Sequence, residues 1–174
     1  MIFLFRVLNE TEPHSLHTQK EPPISNKAFL KTVQAFESLN EEQLRKLDGF
    51  FKEKIFSHGA VIFSEGEKAD HVWCVVEGEI DLRFDLPGRH TSEDYTISKR
   101  KERNIFGWSS LVHPYRYRLS AYCATRTCKV IMVDKNRLLR LFKEDTDAGY
   151  HFMSQLIKIV GDRFLTLQES ASGY

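Results

Sequence analysis

The chain reads as mainly β with flanking α elements: a jelly-roll β-roll (a double-stranded β-helix) with N-terminal helices and a long C-terminal helix. Short alternating runs punctuated by glycine turns fill its middle, two helix-start signals precede them, and one long stretch of helical period follows. At 174 residues it is one domain with appendages, large enough to bury a core without covalent staples. The expected organisation is an arm and linker over 1–27, a domain over 28–168 whose final helix spans about 146–168, and a tail over 169–174.

The N-terminal run from Ile2 to Leu8 is apolar but interrupted by Arg6, and it lacks the basic leader and small-residue cleavage site of a secretory signal. It is expected to be an extra strand or a docked arm. Pro13, Pro22 and Pro23 make the following stretch an extended linker. Ser25 or Asn26 then caps a helix through Phe29, Leu30, Val33 and Phe36, whose spacing gives one buried stripe. Asn40-Glu41-Glu42-Gln43 repeats the cap signal and leads into Leu44, Leu47 and Phe51.

After Phe51 the period becomes two. Lys54 to Ser57, the His58-Gly59 turn and Ala60 to Phe63 form a hairpin signal. The turn 64–70 leads to the run His71 to Val76, and Glu77-Gly78 leads to Glu79 to Phe84, in which Ile80, Leu82 and Phe84 point one way. The segment 86–104 is polar, with a strand at Tyr95-Thr96-Ile97 and a basic run over 99–103 that reads either as a docking patch for phosphate or an acidic partner or, the preferred reading, as a solvated strand end. Tyr117, Leu119, Ala121 and Cys123 face one side of a strand, and Thr127 to Val133 makes the last one. Asp134 caps a helix over 135–142, and Thr146 or Asp147 caps the final helix through Phe152, Met153, Leu156, Ile159, Val160, Phe164 and Leu167. That apolar face is too wide for one partner, so one side should lie on the β-roll and the other on a second copy or an effector protein.

With 25 basic and 24 acidic residues the net charge is +1, which argues against bulk attraction to nucleic acid or an acidic membrane. No stretch has the unbroken apolar length of a membrane helix. Cys74, Cys123 and Cys128 fit neither a zinc ribbon nor a redox pair and read as reduced core thiols of a cytoplasmic protein. Catalysis has no constellation: the histidines are scattered, with no His-x-x-x-His pair, Gly-x-Ser-x-Gly elbow or phosphate-cradling glycine loop, and no metal set. Chemistry concentrates instead between Ile105 and Ala121. Phe106-Gly107 ends a strand, Trp108-Ser109-Ser110-Leu111 makes a short helical turn, and Arg116 and Arg118 follow a loop. A helix start with free amides beside a guanidinium is an outline anion site.

This stretch resembles the phosphate-binding cassette of the cyclic nucleotide-binding domain, found in catabolite-activator-type regulators and in regulatory subunits of cAMP-dependent protein kinase. Phe106-Gly107 and Ser110-Leu111 match its pattern. A second block, Gly59-Ala60-Val61-Ile62-Phe63, Glu65-Gly66, Asp70 and Val75-Val76-Glu77-Gly78-Glu79-Ile80, tracks the family's strand-and-glycine pattern, so that the likeness covers roughly 36–168. It implies a site for cAMP, cGMP or another phosphate-bearing ligand, built from Phe106, Gly107, Trp108, Ser109, Ser110, Leu119, Ser120, Ala121 and whichever of Arg116 and Arg118 turns inward. It also implies that Phe152 or Met153 caps a base, with Leu156 and Val160 on the same lid or in a dimer seam.

Where the family carries the glutamate that takes the ribose 2'-hydroxyl, this chain has Trp108. Loss of one charged hydrogen bond costs roughly 1.5–3 kcal/mol, about ten- to a hundredfold in affinity. The expected protein is a non-catalytic regulatory module with weak or lost cyclic-nucleotide binding. Two alternatives stand beside it: a sensor whose ligand stacks on Trp108, and a ligand-free interaction scaffold. Regulators of this type read DNA through a helix-turn-helix after the long helix, and none follows before Tyr174, so direct DNA binding is not expected.

Overall fold

The computed structural model of the chain describes residues 26–47, 49–85 and 91–172. The expected N-terminal arm and most of its linker, and part of the 86–104 segment, lie outside the described residues. The elements are α1 (Asn26–Leu30), α2 (Glu41–Lys46), β1 (Phe51–Ser57), β2 (Val61–Phe63), β3 (His71–Glu77), β4 (Ile80–Arg83), β5 (Thr96–Arg100), β6 (Ile105–Phe106), β7 (Ser120–Cys123), β8 (Thr127–Asp134), α3 (Lys135–Glu144) and α4 (Thr146–Ser172). Two antiparallel sheets, ordered β1-β8-β3-β6 and β2-β7-β4-β5, face each other as the expected jelly roll.

The glycine turns do a different job from the one expected of them. β1 and β2 do not form a hairpin: β1 pairs with β8 and β2 with β7, so the His58-Gly59 turn carries the chain from one sheet to the other. Gly78 does the same between β3 and β4. It sits at φ 84°, and a Cβ there would lie 2.5 Å from Thr125 Oγ1 and 2.6 Å from the Thr127 carbonyl oxygen. Only a residue without a side chain lets the β7–β8 connection approach this closely.

β3 separates two cores. Val72 and Cys74 pack on the helical side with Leu30, Phe36, Leu44, Leu138 and Phe152, whereas Trp73 and Val75 point into the roll with Phe63, Ile80, Phe106 and Tyr117. Burial on both faces explains why this strand reads as a continuous apolar run rather than an alternating one. Phe84, expected on the inner face with Ile80 and Leu82, is exposed.

The helices follow their caps. Asn40 and Gln43 form the expected capping box, with Gln43 N donating to Asn40 Oδ1 at 2.9 Å and Asn40 N to Gln43 Oε1 at 3.0 Å. α1 is shorter than expected, because after Leu30 the chain tightens into turns such as Val33 N to Leu30 O (3.0 Å) and Phe36 N to Val33 O (2.8 Å). Leu30, Val33 and Phe36 are buried all the same. Asp134 caps α3 through Arg137 N at 2.9 Å. For α4 the cap is Asp145, not Thr146 or Asp147: its Oδ1 accepts from Ala148 N at 3.0 Å and from Gln43 Nε2 at 3.2 Å, and Lys46 lies 3.1 Å from Oδ2. One carboxylate thus starts α4 and ties it to α2. The helix runs to Ser172, into the expected tail.

The cysteine expectation is corrected for two of the three. Cys123, ending β7, and Cys128, in β8, form a disulfide across a five-residue separation, leaving Cys74 as a buried free thiol. Burial pushes the Cys74 thiol up to about 12, which keeps it inert.

Two stability measurements follow. Gly78→Ala is expected to cost about 3 kcal/mol in denaturant unfolding, against about 1–2 kcal/mol for Gly59→Ala, where only the left-handed backbone is penalised. The Ala148 amide and then Lys46 hold the Asp145 carboxyl below 3.8. A depressed carboxylate stabilises above its unfolded pKa and ceases to as pH falls through the folded one. Wild type should therefore exceed Asp145→Asn in stability at pH 7, and the gap should close as the pH drops below about 4.

Candidate functional site

β6 delivers the cassette. It pairs with β3 in the register Trp73↔Phe106 and Cys74↔Ile105, and Gly107 then turns at φ 69°, ψ 20° into a single 3-10 turn, Trp108–Leu111. A Cβ on Gly107 would lie 2.8 Å from Trp73 Cδ1, 3.2 Å from Tyr117 Cε1 and 3.3 Å from the His71 carbonyl oxygen. The glycine is therefore required twice over, for its backbone angle and for its clearance. Ser109 is half-buried; Ser110 is fully buried, and its hydroxyl has no hydrogen-bond partner.

The two arginines part company. Arg116 donates from Nη1 to the Gly66 carbonyl at 2.7 Å and lies on the exposed rim beside Lys68. Arg118 borders a cavity of about 70 Å³ together with Phe63, Leu82, Gly107, Trp108, Ser109, Tyr117 and Leu119. Ser120, expected to complete an anion ring, faces the other way. Leu82 pairs with Ala121 and Arg83 with Ser120; Leu82 and Ala121 pack in the roll's core, so Ser120 takes the outer face of the second sheet. There its hydroxyl donates to Asp85 and accepts from the Glu65 amide at 2.7 Å. Burial alone would raise the Asp85 carboxyl, but hydrogen bonds from Ser120 and Thr91 outweigh it and hold Asp85 below the usual range.

The interior next to Arg118 is filled by aromatic rings. Phe63 stacks on Tyr117 with centroids 3.7 Å apart and planes at 13°. The Tyr117 hydroxyl accepts from Trp73 Nε1 at 3.1 Å and donates to the His71 carbonyl at 3.1 Å, so its polar end is held by two bonds. Phe106 extends the group, 5.8 Å from Phe63 and 6.2 Å from Trp73. Small-molecule pockets span roughly 300–1,000 Å³, several times the space left here. Sequence reasoning rested weak binding on Trp108 and missed Phe63 and Tyr117. Their signal was four aromatics, three of them at inward strand positions and Tyr117 just ahead of β7, a density that leaves a small roll little hollow.

Trp108 is half-buried and packs against the helical core. Beyond it lies a second, apolar groove of about 470 Å³, lined also by Val112, Met153, Leu156, Ile157, Val160, Gly161 and Phe164. The indole therefore stands between the small cavity and α4. Phe152 is not available as a lid: it is fully buried between Phe36 and Phe142, with centroids 5.1 and 5.0 Å away. Met153 and Val160 border the groove, and Leu156 is buried. A depression of about 860 Å³ between α3 and α4, carrying Arg140, Lys143 and Tyr150, does not include any residue from 106 to 111 or Arg118. Among the described residues there is no cluster of three His, Cys, Asp or Glu able to hold a metal, and no helix long and apolar enough to cross a membrane.

Solved structures share this architecture. A candidate cyclic nucleotide-binding protein of Geobacter metallireducens is 29% identical, with a TM-score of 0.69 over 81% of this chain and 99% of its own. A cyclic nucleotide-binding domain of Methylobacillus flagellatus is 17% identical, with a TM-score of 0.68 over 82% of this chain and 78% of its own. The sensor domain of the transcriptional regulator DNR of Pseudomonas aeruginosa is 18% identical, with a TM-score of 0.66 over 80% of this chain and 91% of its own. The family model for the cyclic nucleotide-binding domain matches residues 53–145, which span the whole roll and the cassette. With that match across two sheets, the glycine-led turn of Gly107 and the arginine at its mouth, the chain belongs to the cyclic nucleotide-binding domain family.

Proposed function

We propose that the chain is a non-catalytic regulatory module of the cytoplasm that binds cAMP and cGMP weakly or not at all. The observation that carries this reading is the cavity of about 70 Å³ beside Arg118, with Phe63 and Tyr117 stacked in the space a nucleotide would need. Replacement of the cassette glutamate by Trp108 points the same way, since it removes a charged acceptor and adds bulk. Family membership supports a regulatory role, and no catalytic constellation competes with it. A cytoplasmic setting is compatible with the Cys123–Cys128 bridge, because both residues are fully buried and out of reach of thiol reductants.

A second reading has its own observation. Trp108, Ser109 and Arg118 border one cavity, an arrangement that would let a small anionic ligand be held by Arg118 and stacked on the indole. Arg118→Ala should then abolish ligand binding and leave the fold intact.

The output surface we assign to α4. Ala148, Phe152, Leu156 and Ile159 face the helical core. Tyr150, Met153, Ile157, Val160, Phe164 and Leu167 follow the 3-4-3-4-3 spacing of a coiled-coil seam, and Ile157 is 72% exposed. The positions flanking this seam on one side are Ser154, Gly161 and Gln168, uncharged residues that set no repulsion against a second copy. Homodimerisation through α4 accounts for this stripe, and a helical effector protein is the alternative occupant.

Calorimetric titration with cAMP and with cGMP should give no saturable heat at micromolar ligand; a dissociation constant in or below that range would overturn the leading reading. In light scattering the wild-type chain should have twice the mass of one copy, and Ile157→Glu should halve it without altering the circular dichroism spectrum.

A further inference from the structure

The stripe by which α4 docks does not end on an apolar residue. Ala148, Phe152, Leu156 and Ile159 continue at the same spacing to Arg163, half-buried, whose Nη2 donates to the Ile105 carbonyl at 2.6 Å. From Phe164 to Glu169 every residue is exposed, so Arg163 is the last residue of this stripe before the exposed stretch. Arg100 lies at the same end. It closes β5 opposite Ile80 and so shares the inward face of that buried residue. The four-residue turn that follows, closed by Asn104 N to Lys101 O at 3.0 Å, brings Ile105 back beside it.

Neither guanidinium has a carboxylate partner among the described residues. Arg163 Nη1 and Arg100 Nε are buried with no acceptor, and Arg100 satisfies Nη1 only on the Lys99 carbonyl at 2.8 Å. The fold treats its other buried cations differently: Lys135 has Asp70 at 3.1 Å, and Arg83 has Asp81 at 2.8 Å. Burial first, and then the charge of Arg100, push the Arg163 guanidinium down to about 9. Two neighbouring cations with unused donors and no counter-charge are costly unless an anion joins them. An oxyanion offers several acceptor lone pairs to two planar forks.

We infer that Arg100 and Arg163 form a binding site for a small oxyanion of the phosphate type, which fastens the last anchored turn of α4 to the end of β5. The site is separate from the Arg118 cassette and does not depend on whether that cassette takes a nucleotide.

Thermal unfolding of the full chain, titrated with inorganic phosphate and, separately, with adenosine 5'-monophosphate, tests this against chloride at matched ionic strength. At saturating phosphate the wild-type midpoint should rise by about 2–4 °C over the chloride control. Arg100→Gln and Arg163→Gln should each lose that rise, whereas Arg118→Gln should keep it. A rise with the monophosphate alone, lost in the same two variants, supports the site and assigns it to a phosphate ester. Without phosphate, Arg100→Gln should melt at or above wild type, because it removes an uncompensated buried charge; a purely structural arginine would lower the midpoint in both conditions. If Arg163→Gln does not fold, Arg100→Gln alone decides. No rise in wild type with either probe, a rise undiminished in Arg100→Gln, or one abolished by Arg118→Gln overturns the proposal.

Discussion

The β-roll depends on how closely the Gly107 backbone can approach Trp73 and Tyr117. At 2.8 and 3.2 Å from where a Cβ would stand, those rings leave no room for a side chain, and the approach lets the two sheets close around Phe63, Trp73, Phe106 and Tyr117. Buried aromatics of this size dominate core energetics, and their polar handles need partners. Here the Tyr117 hydroxyl supplies one to Trp73 and finds its own on the His71 carbonyl. The same contacts that weld the sheets together occupy the interior next to the cassette. Stability and an empty ligand chamber are therefore competing uses of one volume, and in this arrangement packing has the volume.

That constraint also sets what Trp108 does. The family pattern has a glutamate there, and a carboxylate at this half-buried position would lie beside a packed aromatic interior with little room for a sugar to meet it. An indole instead covers the edge of the aromatic group on one side and the apolar residues of α4 on the other. The cassette turn thus becomes a contact between roll and helix. Arg118, exposed at the cavity mouth, retains the means to attract an anion without the space to enclose a large one.

Most of the fold was legible in the residues, because the period-two runs, the glycines at 59, 66, 78 and 107, and the caps at Asn40 and Asp134 each have a local physical meaning. What failed was non-local. The Gly59 turn looks like a hairpin turn because adjacent strands usually pair, and only the crossover between sheets assigns β1 to β8. Asp145 was overlooked as the α4 cap because its neighbours Thr146 and Asp147 are equally good caps in isolation; contacts from Gln43 and Lys46, about a hundred residues away, single it out. Of the candidate site, the Gly107 turn was readable, whereas the choice between Arg116 and Arg118 stayed open until the structure placed Arg116 on the Gly66 carbonyl and Arg118 beside the cavity. The direction of Ser120 was not readable, since it follows from a register with Arg83 on another strand. The Cys123–Cys128 bridge was hidden for a similar reason, as a five-residue spacing acquires meaning only once β7 and β8 turn back on each other.

α4 is where these constraints meet. Its first half is committed to the core through Phe152, Leu156 and Ile159, with Asp145 holding its start. Its second half carries exposed apolar side chains, Ile157, Phe164 and Leu167, and Arg163 there donates to the Ile105 carbonyl. A helix packed on the core along its first half and exposed along its second has its low-stability segment where the proposed partner surface lies, and local opening there costs far less than global unfolding. Anything that strengthens or releases the Arg163 anchor changes the population of the docked second half by its difference in affinity for the two arrangements. The seam residues Val160, Phe164 and Leu167 lie on either side of that anchor in sequence. On the proposed reading, regulation through this domain works from the end of the helix and does not require a full nucleotide chamber at the centre of the roll.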